Sequence, residues 1–205
     1  MDFEDLRKTH PGSDKGQQWL DRKKDVLPDN MSGMTVLDIG SYNGYYSLLA
    51  ASRGASVLGI DVPNQWIDRT LYHQHIEKHG FDCKHIELDV YDLDELDEAF
   101  DLVLFYDVIY HLEHPLLALK KIFPKVRGSL LLGTYIIDPR FLNIDQSKPI
   151  MYFFEPGELT HDQTNVWGPT LGCVEKMLIS TGFPVVKMLN YDHKRALFKA
   201  SKILL

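Results

Sequence analysis

Cysteine is scarce in this sequence, which has only Cys83 and Cys173 among its 205 residues. Two cysteines cannot build the disulfide framework of a small secreted domain, so we expect both to be free thiols in a reducing cytoplasm. The chain also lacks an apolar run of the roughly 18 residues that a membrane-spanning helix needs. Its start, MDFED, is acidic where a signal peptide would be basic and then apolar. These absences argue against a secreted mini-protein, a membrane protein and a structural zinc finger.

Basic residues are absent from residues 87–101, which carry eight Asp or Glu residues. The whole chain has a net charge of −7, from 22 Lys and Arg against 29 Asp and Glu. An acidic face repels phosphate backbones, so the sequence is not typical of a general DNA- or RNA-binding protein. We interpret the basic cluster Arg22, Lys23 and Lys24 as solvated surface charge.

Two phosphate-binding signatures are incomplete. Residues 38–44 (DIGSYNG) lack a dinucleotide fingerprint, because Tyr42 and Tyr45 stand where glycines are needed. Residues 54–59 have the glycine spacing of a P-loop, but Ile60 and Asp61 follow instead of Lys and Ser or Thr. These departures disfavour a nicotinamide dehydrogenase and a P-loop nucleotidase.

Short apolar runs alternate with helical stretches, which is typical of parallel βαβ units. Strands are predicted at 36–39, 56–60, 85–88, 100–105 and 129–132. Helices are predicted at 45–53, 65–79 and 115–123, and another begins after the candidate N-cap Thr170. Two last strands, 185–189 and 195–200, are joined by a connection short enough for antiparallel pairing. The pattern predicts an α/β fold with a mostly parallel sheet and helices on both faces.

The chain contains no repeat and no clear boundary, and we expect residues 1–205 to form a single domain. Residues 1–33, which include Trp19 and a basic helix candidate, are interpreted as an N-terminal helical cover. Residues 135–168 are rich in aromatic residues and lack a long periodic element. A loop of this length is usually functional, and we expect a lid or a substrate-side wall.

Three successive predicted strands end in a carboxylate, at Asp38, Asp61 and Asp89. Ligands of an open parallel sheet bind beyond the carboxyl ends of its strands. A carboxylate at the first turn opposes a pyrophosphate and suits an ammonium group. Asp61 can accept both hydroxyls of a ribose, and Asp89 with Val90 can hold an adenine. An amino acid, a ribose and an adenine without phosphate describe S-adenosylmethionine (SAM).

Residues 36–44 (VLDIGSYNG) resemble the first motif of class I SAM-dependent methyltransferases, and residues 59–61 and 88–90 are similar to the second and third motifs. The resemblance spans about residues 34–200. It implies a Rossmann-like class I methyltransferase fold, with a seven-stranded sheet and a C-terminal antiparallel hairpin. It also implies that the cofactor-binding residues are Asp38, Gly40, Ser41, Tyr42, Gly44, Asp61, Val62, Asp89, Val90 and Tyr106.

Residues 107–116, 165–169 and 194–198 look like the tRNA wobble-uridine (carboxy)methyltransferase-like group. In that group a Tyr and a late Arg approach the transferred group, and Tyr110 and Arg195 match those positions. The group also takes a Lys from an extra N-terminal segment, and the sequence does not place that Lys here. The resemblance implies carboxy-SAM as an alternative cofactor and tRNA as an alternative substrate, although we favour SAM and a small molecule.

Tyr110 and His111 follow the fourth predicted strand, where this topology faces them toward the transferred methyl group. His111 can act as a general base for a hydroxyl or an amine, or can only position the substrate. We expect Arg195 to clamp the substrate or a carboxylate. Asn165 and Trp167 of the aromatic segment are candidate substrate-binding residues. Histidine pairs at helical spacing lack a third ligand, so no metal site is expected.

The sequence thus predicts a SAM-dependent methyltransferase that transfers a methyl group to an O or N atom of a small molecule. A tRNA wobble-uridine (carboxy)methyltransferase-like enzyme and a catalytically silent SAM-binding module remain alternatives. We expect neither DNA nor membrane binding, and the sequence does not predict the oligomeric state.

Overall fold

The computed structural model describes residues 3–10, 13–63, 65, 67–159 and 162–202. In this part of the chain, seven strands form the main sheet: β1 (Thr35–Ile39), β2 (Ser56–Asp61), β3 (Cys83–Glu87), β4 (Phe100–Tyr106), β5 (Val126–Tyr135), β8 (Val185–Tyr191) and β9 (Arg195–Ser201). Two short strands, β6 (Met151–Phe153) and β7 (Trp167–Pro169), pair antiparallel in a separate ribbon.

The main sheet has the strand order β3-β2-β1-β4-β5-β9-β8. The first five strands in that order run parallel, and β9 pairs antiparallel with both β5 and β8. This confirms the predicted Rossmann-like fold with its C-terminal antiparallel hairpin. Strands β2 and β3 are added on one side of β1, and β4 and β5 are added on its other side. Ligands of such sheets bind in the crevice at this switch between β1 and β4.

Helices cover both faces of the sheet. They are α1 (Glu4–Thr9), α2 (Ser13–Asp25), α3 (Tyr45–Ser52), α4 (Thr70–His79), α5 (Pro115–Lys125), α6 (Pro139–Leu142) and α7 (Leu171–Thr181). Residues of α1 to α4 share one apolar core with Val36 and Leu104. Residues of α5 and α7 form a second core with Leu37 and Val103 on the opposite face. Alternate residues of each central strand therefore enter different cores, which explains why these strands read as continuous apolar runs.

Several predicted boundaries need correction. The helix predicted at 65–79 begins at Thr70, although residues 64 and 66 lie outside the described part. The third strand is Cys83–Glu87 rather than 85–88, and the fifth is longer than predicted, at Val126–Tyr135. The N-cap prediction at Thr170 is confirmed, because its side chain accepts a hydrogen bond from the Cys173 amide.

Candidate active site

The turn after β1 is shaped by two glycines. Gly40 and Gly44 have φ angles of +71° and +83°, in the left-handed region that glycine adopts without strain. A Cβ atom at Gly40 would overlap the Val108 side chain, which follows β4. A Cβ atom at Gly44 would overlap the Tyr72 ring of α4. The two glycines therefore let the turn lie close against the end of β4 and against α4.

Asp38 belongs to β1, and its side chain is buried beneath this turn. It accepts a hydrogen bond from the Ser47 hydroxyl of α3 at 2.6 Å. Burial raises the pKa of Asp38 to about 6, against the opposing effects of Ser47 and Lys23, and the nearby Asp61 charge adds to the rise. Asp38 therefore changes its charge just below neutral pH.

Asp61 at the end of β2 holds the turn through its carboxylate. One oxygen accepts the Tyr42 amide at 2.9 Å, and the other accepts the Val62 amide at 2.9 Å. Burial raises the pKa of Asp61, while these amides and the Arg69 guanidinium oppose the rise. A carboxylate has about four lone-pair sites, so Asp61 can still accept the hydroxyls of a ligand. Val62 lies at the outer edge of the site and is 43% exposed.

Asp89 follows β3 and caps the 3₁₀ turn Val90–Glu95, whose Tyr91 amide donates to its carboxylate at 3.0 Å. The Val90 side chain is buried. The Leu88 amide donates to the Asp61 carbonyl, which joins the ends of β2 and β3. The three predicted carboxylates thus lie at the ends of adjacent strands, and each also has a bond within the protein.

Lys23 is the residue that the sequence analysis placed wrongly. Its side chain is fully buried rather than solvated, and its Nζ lies 2.6 Å from Asp107 Oδ2 at the end of β4. The rings of Trp19, Tyr46 and Tyr106 surround the same ammonium group, with centroids 4.8 to 5.9 Å away. The Trp19 indole also donates to Asp107. Helix α2 thereby places a cation at the end of β4.

The protonation of this ion pair follows from its surroundings. Burial alone would raise the pKa of Asp107, but Lys23, Arg195 and the Trp19 hydrogen bond lower it to about 2. Burial lowers the pKa of Lys23, and Asp107 opposes that shift. Arg195 Nη1 lies 3.9 Å from the same Asp107 oxygen. Two cations therefore meet one carboxylate, which leaves an excess of positive charge beside the crevice.

One signal in the sequence could have indicated this pair. Trp19 and Lys23 are four residues apart, so a helix places them on one face. Leu20 and Leu27 of the same segment are also buried. An amphipathic reading of residues 19–27 would have buried Lys23, and a buried cation requires an anionic partner.

Tyr110 and His111 lie in a 3₁₀ turn, Ile109–His111, just after β4. Their ring centroids are 4.2 Å apart. The Tyr110 ring also packs edge-on against the Tyr135 ring, with 6.2 Å between the two centroids. Burial raises the pKa of Tyr110, with a further rise from Asp107, so its phenol stays neutral. His111 Nδ1 lies 2.9 Å from the hydroxyl and 3.2 Å from the carbonyl oxygen of Thr164.

The structure does not place the polar groups of Asn165 and Trp167 at the ends of the parallel strands. The Asn165 amide donates to the Leu159 carbonyl, and the Trp167 indole donates to the Leu112 carbonyl at 3.0 Å. The Asn165 bond thus lies within the aromatic segment, whereas Trp167 holds that segment against Leu112, which follows the turn that carries Tyr110. Trp167 also lines a cavity of about 730 Å³ beside α5 and α7, with Leu116, Met151 and Met177. Their proposed contact with substrate remains a prediction.

Two buried hydroxyls in this region have no hydrogen-bond partner within the described residues: Ser41 Oγ and Tyr106 Oη. Buried polar groups are normally paired, and a polar ligand can supply the missing partners. Both residues belong to the predicted cofactor-binding set. Together with the glycine turn and the strand-end carboxylates, they fit a nucleoside that carries polar groups and no phosphate.

The described ranges contain no helix that is both long and apolar enough to cross a membrane. The same ranges show no cluster of three or more His, Cys, Asp or Glu side chains arranged to hold a metal ion.

Comparison with known proteins gives consistent matches. The family model of the methyltransferase domain matches residues 12–164. The tRNA U34 carboxymethyltransferase of Azotobacter vinelandii is 32% identical over 170 residues, which cover 78% of this chain and 49% of that protein. The enzyme of the same name from Pseudomonas fluorescens is 31% identical over 168 residues, with the same coverage. The chain thus spans about half the length of the curated relatives it matches.

Solved structures share the fold at low sequence identity. An O-methyltransferase family protein from Burkholderia thailandensis has a TM-score of 0.69 at 16% identity, over 91% of this chain and 56% of that one. Magnesium protoporphyrin IX methyltransferase from Synechocystis PCC 6803, with S-adenosylhomocysteine (SAH) bound, has a TM-score of 0.67 at 18% identity. That match covers 99% of this chain and 89% of the other. The sequence motifs, the fold and the family match lead to one conclusion: the chain belongs to the SAM-dependent class I methyltransferase family.

Proposed function

We propose that this chain transfers a methyl group from SAM to an oxygen or nitrogen atom of a small molecule. The observation that carries the proposal is the crevice between β1 and β4, where a glycine turn, strand-end carboxylates and two unpaired buried hydroxyls meet. A cytoplasmic location is part of the proposal, and it is supported by two buried cysteines that are both free thiols.

Each part of the cofactor has a matching group in this crevice. SAM supplies the electrophile, a methyl group on a positively charged sulfur. Asp61 accepts the ribose hydroxyls through its remaining lone pairs, and Val90 packs against the adenine beside Asp89. The hydroxyls of Ser41 and Tyr106 bond to polar groups of the ligand that reach the glycine turn. The Asp38 charge below that turn favours the cofactor's ammonium group.

His111 is the proposed proton acceptor. A carbonyl oxygen only accepts hydrogen bonds, so the contact with the Thr164 carbonyl favours a proton on Nδ1 of His111. That tautomer leaves the Nε2 lone pair for the proton of the acceptor hydroxyl or amine. Tyr110, with its neutral phenol, orients the acceptor for in-line attack on the methyl group.

Asp107 supports methyl transfer over carboxymethyl transfer. Lys23 could attract the carboxylate of carboxy-SAM, but its ammonium group already forms an ion pair with Asp107 at 2.6 Å. The Asp107 charge thereby reduces the attraction that Lys23 and Arg195 would exert on the carboxylate of such a cofactor. We therefore expect the wild-type chain to bind SAM more tightly than carboxy-SAM, and Asp107→Asn to shift that ratio toward carboxy-SAM. Tighter binding of carboxy-SAM by the wild type would contradict methyl specificity.

Carboxymethyl or methyl transfer to tRNA is the second candidate function. It is favoured by the relatives named tRNA U34 carboxymethyltransferase and by the excess positive charge of Lys23 and Arg195 around Asp107. In this alternative Arg195 binds the carboxylate of the transferred group. Arg195→Ala would then reduce the rate of carboxymethyl transfer by a larger factor than it reduces SAH affinity.

Transfer from radiolabelled SAM decides between these functions. The protein is incubated with a low-molecular-weight cell extract in one reaction and with total RNA in the other. We expect label in a small-molecule product and its loss in His111→Ala, with the exposed His193→Ala as the control variant. Label in RNA alone would establish the second candidate. SAH binding with no label in either reaction, and with no transfer from carboxy-SAM to RNA, would identify a silent binding module, and no SAH binding at millimolar concentration would refute all three.

A further inference from the structure

Arg69, just before α4, joins two parts of the crevice that are distant in sequence. Its Nε donates to the Tyr42 carbonyl at 2.9 Å, in the turn after β1. Its Nη2 lies 3.7 Å from Asp61 Oδ2, at the end of β2. The Arg69 side chain is only 14% exposed, so the guanidinium is largely removed from solvent. None of the predicted motifs contains this residue.

The contact with Tyr42 stabilises an unusual backbone conformation. Tyr42 has a φ angle of +50°, in the left-handed region that non-glycine residues rarely adopt. Both of its backbone polar groups are fixed, because its amide donates to Asp61 and its carbonyl accepts from Arg69. Arg69 and Asp61 thus hold the turn through the two polar backbone groups of Tyr42.

One donor of Arg69 remains unused. Nη2 is buried and has no hydrogen-bond partner among the described residues. A buried donor without a hydrogen bond is unfavourable, and a charged one more so. This donor lies beside the carboxylate that is expected to accept the ribose hydroxyls. A ribose hydroxyl can donate its proton and accept another hydrogen bond at the same oxygen.

We propose that Arg69 binds the cofactor's ribose together with Asp61. The Asp61 carboxylate accepts the proton of a ribose hydroxyl, and Arg69 Nη2 donates to the oxygen of that hydroxyl. The inference rests on the proposed function, because it requires Asp61 to hold the ribose. It adds a second residue, outside the recognised motifs, that distinguishes a ribose from a deoxyribose.

Calorimetry with SAH and its 2′-deoxy and 3′-deoxy analogues tests this contact. We expect Arg69→Met to weaken SAH binding roughly tenfold or more, the size of a charge-assisted hydrogen bond. One deoxy analogue should bind the wild type weakly, yet lose little further affinity in Arg69→Met, because the partner hydroxyl is already missing. Arg140→Met is the matched control, since Arg140 is exposed and pairs with Asp138 instead.

The outcomes separate the two proposals. If the wild type binds SAH and Arg69→Met weakens SAH and both deoxy analogues by equal factors, Arg69 only supports the turn, and the ribose contact is wrong. Unchanged SAH affinity in Arg69→Met would also overturn it. Wild-type protein that binds no SAH contradicts the proposed function itself. If Arg69→Met fails to fold by circular dichroism, Arg69→Lys replaces it, and we expect the same non-additivity because Lys cannot reproduce both donors.

Discussion

Lys23 and Asp107 lie 84 residues apart in the sequence and form a buried ion pair at the end of β4. The desolvation of two charges offsets much of their attraction, so such a pair contributes little net stability. Removal of one partner has a larger effect, because it leaves the other charge buried and unpaired. At this position, that charge also lies next to Tyr110 and Arg195 of the proposed active site.

Lys23→Met is expected to reduce the free energy of unfolding by about 3 to 5 kcal/mol. Asp107 would then remain buried with only the more distant Arg195 as a counter-charge. The double variant Lys23→Met/Asp107→Asn should recover most of that loss. Urea unfolding followed by circular dichroism measures both values, with the exposed Lys120→Met as the control. A loss of less than about 1 kcal/mol in Lys23→Met, the range of a surface pair, would contradict a buried pair.

Asp38 predicts a pH dependence of cofactor binding. Its folded pKa is raised from 3.8 to about 6, so the carboxyl binds a proton as the pH falls through that value. Its attraction for the cofactor's ammonium is then lost, and SAH affinity should fall between about pH 7 and about pH 5. The folding stability of the free protein depends on pH in the opposite direction. The raised pKa of Asp38 favours folding below pH 3.8, and this contribution to stability is lost as the pH rises through about 6.

Calorimetric titration of SAH across this range checks the expectation. The decrease in affinity at low pH should be absent in Asp38→Asn, whose amide does not titrate in this range. An equal decrease in both proteins would assign the effect to another group.

At the scale of elements, α1 packs against the turn after β1. The Asn43 amide of that turn donates to the Leu6 carbonyl at 2.8 Å and to the Thr9 hydroxyl at 3.0 Å. Arg7 joins α1 to α2 through Asp21 at 2.8 Å. A short helix with few contacts is marginally stable alone, so these bonds decide how firmly α1 covers the turn.

Asn43→Ala is expected to loosen α1 without unfolding the sheet. It removes two hydrogen bonds to α1, each of which contributes roughly 1 kcal/mol, so local opening of α1 becomes more frequent. It also removes the hydrogen bond that the Asn43 side-chain oxygen accepts from the Tyr45 amide at 3.3 Å. Hydrogen exchange should accelerate at the amides of residues 6–9 and stay unchanged in β1 and β4. The exposed Gln74→Ala on α4 serves as the control. Unchanged exchange at residues 6–9 would mean that apolar contacts alone hold this helix.

The sequence predicted the central strands β1 and β4 well because each is a largely apolar run buried on both faces. The edge strand β3 is mostly exposed, and its predicted bounds were displaced. It failed where the signal is short or comes from tertiary contacts. Strands β6 and β7 have three residues each, too few to show a period, and were not predicted within the aromatic segment. The carboxylates at the ends of β1, β2 and β3 follow directly from strand positions. The Lys23–Asp107 pair and the Arg69 contacts depend on how distant segments meet, which local patterns do not specify.

At the scale of the whole molecule, charge is distributed unevenly. The net charge is −7, and residues 87–101 carry eight acids without a basic residue. Lys121 pairs with Asp94, and Arg127 pairs with Asp101, so part of this acidic segment is neutralised within the protein. The excess positive charge around Asp107 is small and partly buried by comparison. This distribution favours a small substrate over a long phosphate backbone.

The charge distribution predicts weak binding to RNA. In a gel-shift series with total tRNA, we expect no complex at physiological salt. We also expect only a shallow salt dependence at lower ionic strength, because few phosphates are neutralised. Binding that weakens steeply with salt, and that Arg195→Ala reduces, would support the tRNA alternative instead.

The ends of β1, β2 and β3 are proposed to bind an adenosyl ligand. A crystal structure with SAH bound tests this proposal most directly. We predict electron density for SAH between β1 and β4, its sugar within hydrogen-bond distance of Asp61 and its base beside Val90. SAH located elsewhere, with Asp38, Asp61 and Asp89 bonded only to protein groups, would contradict the account.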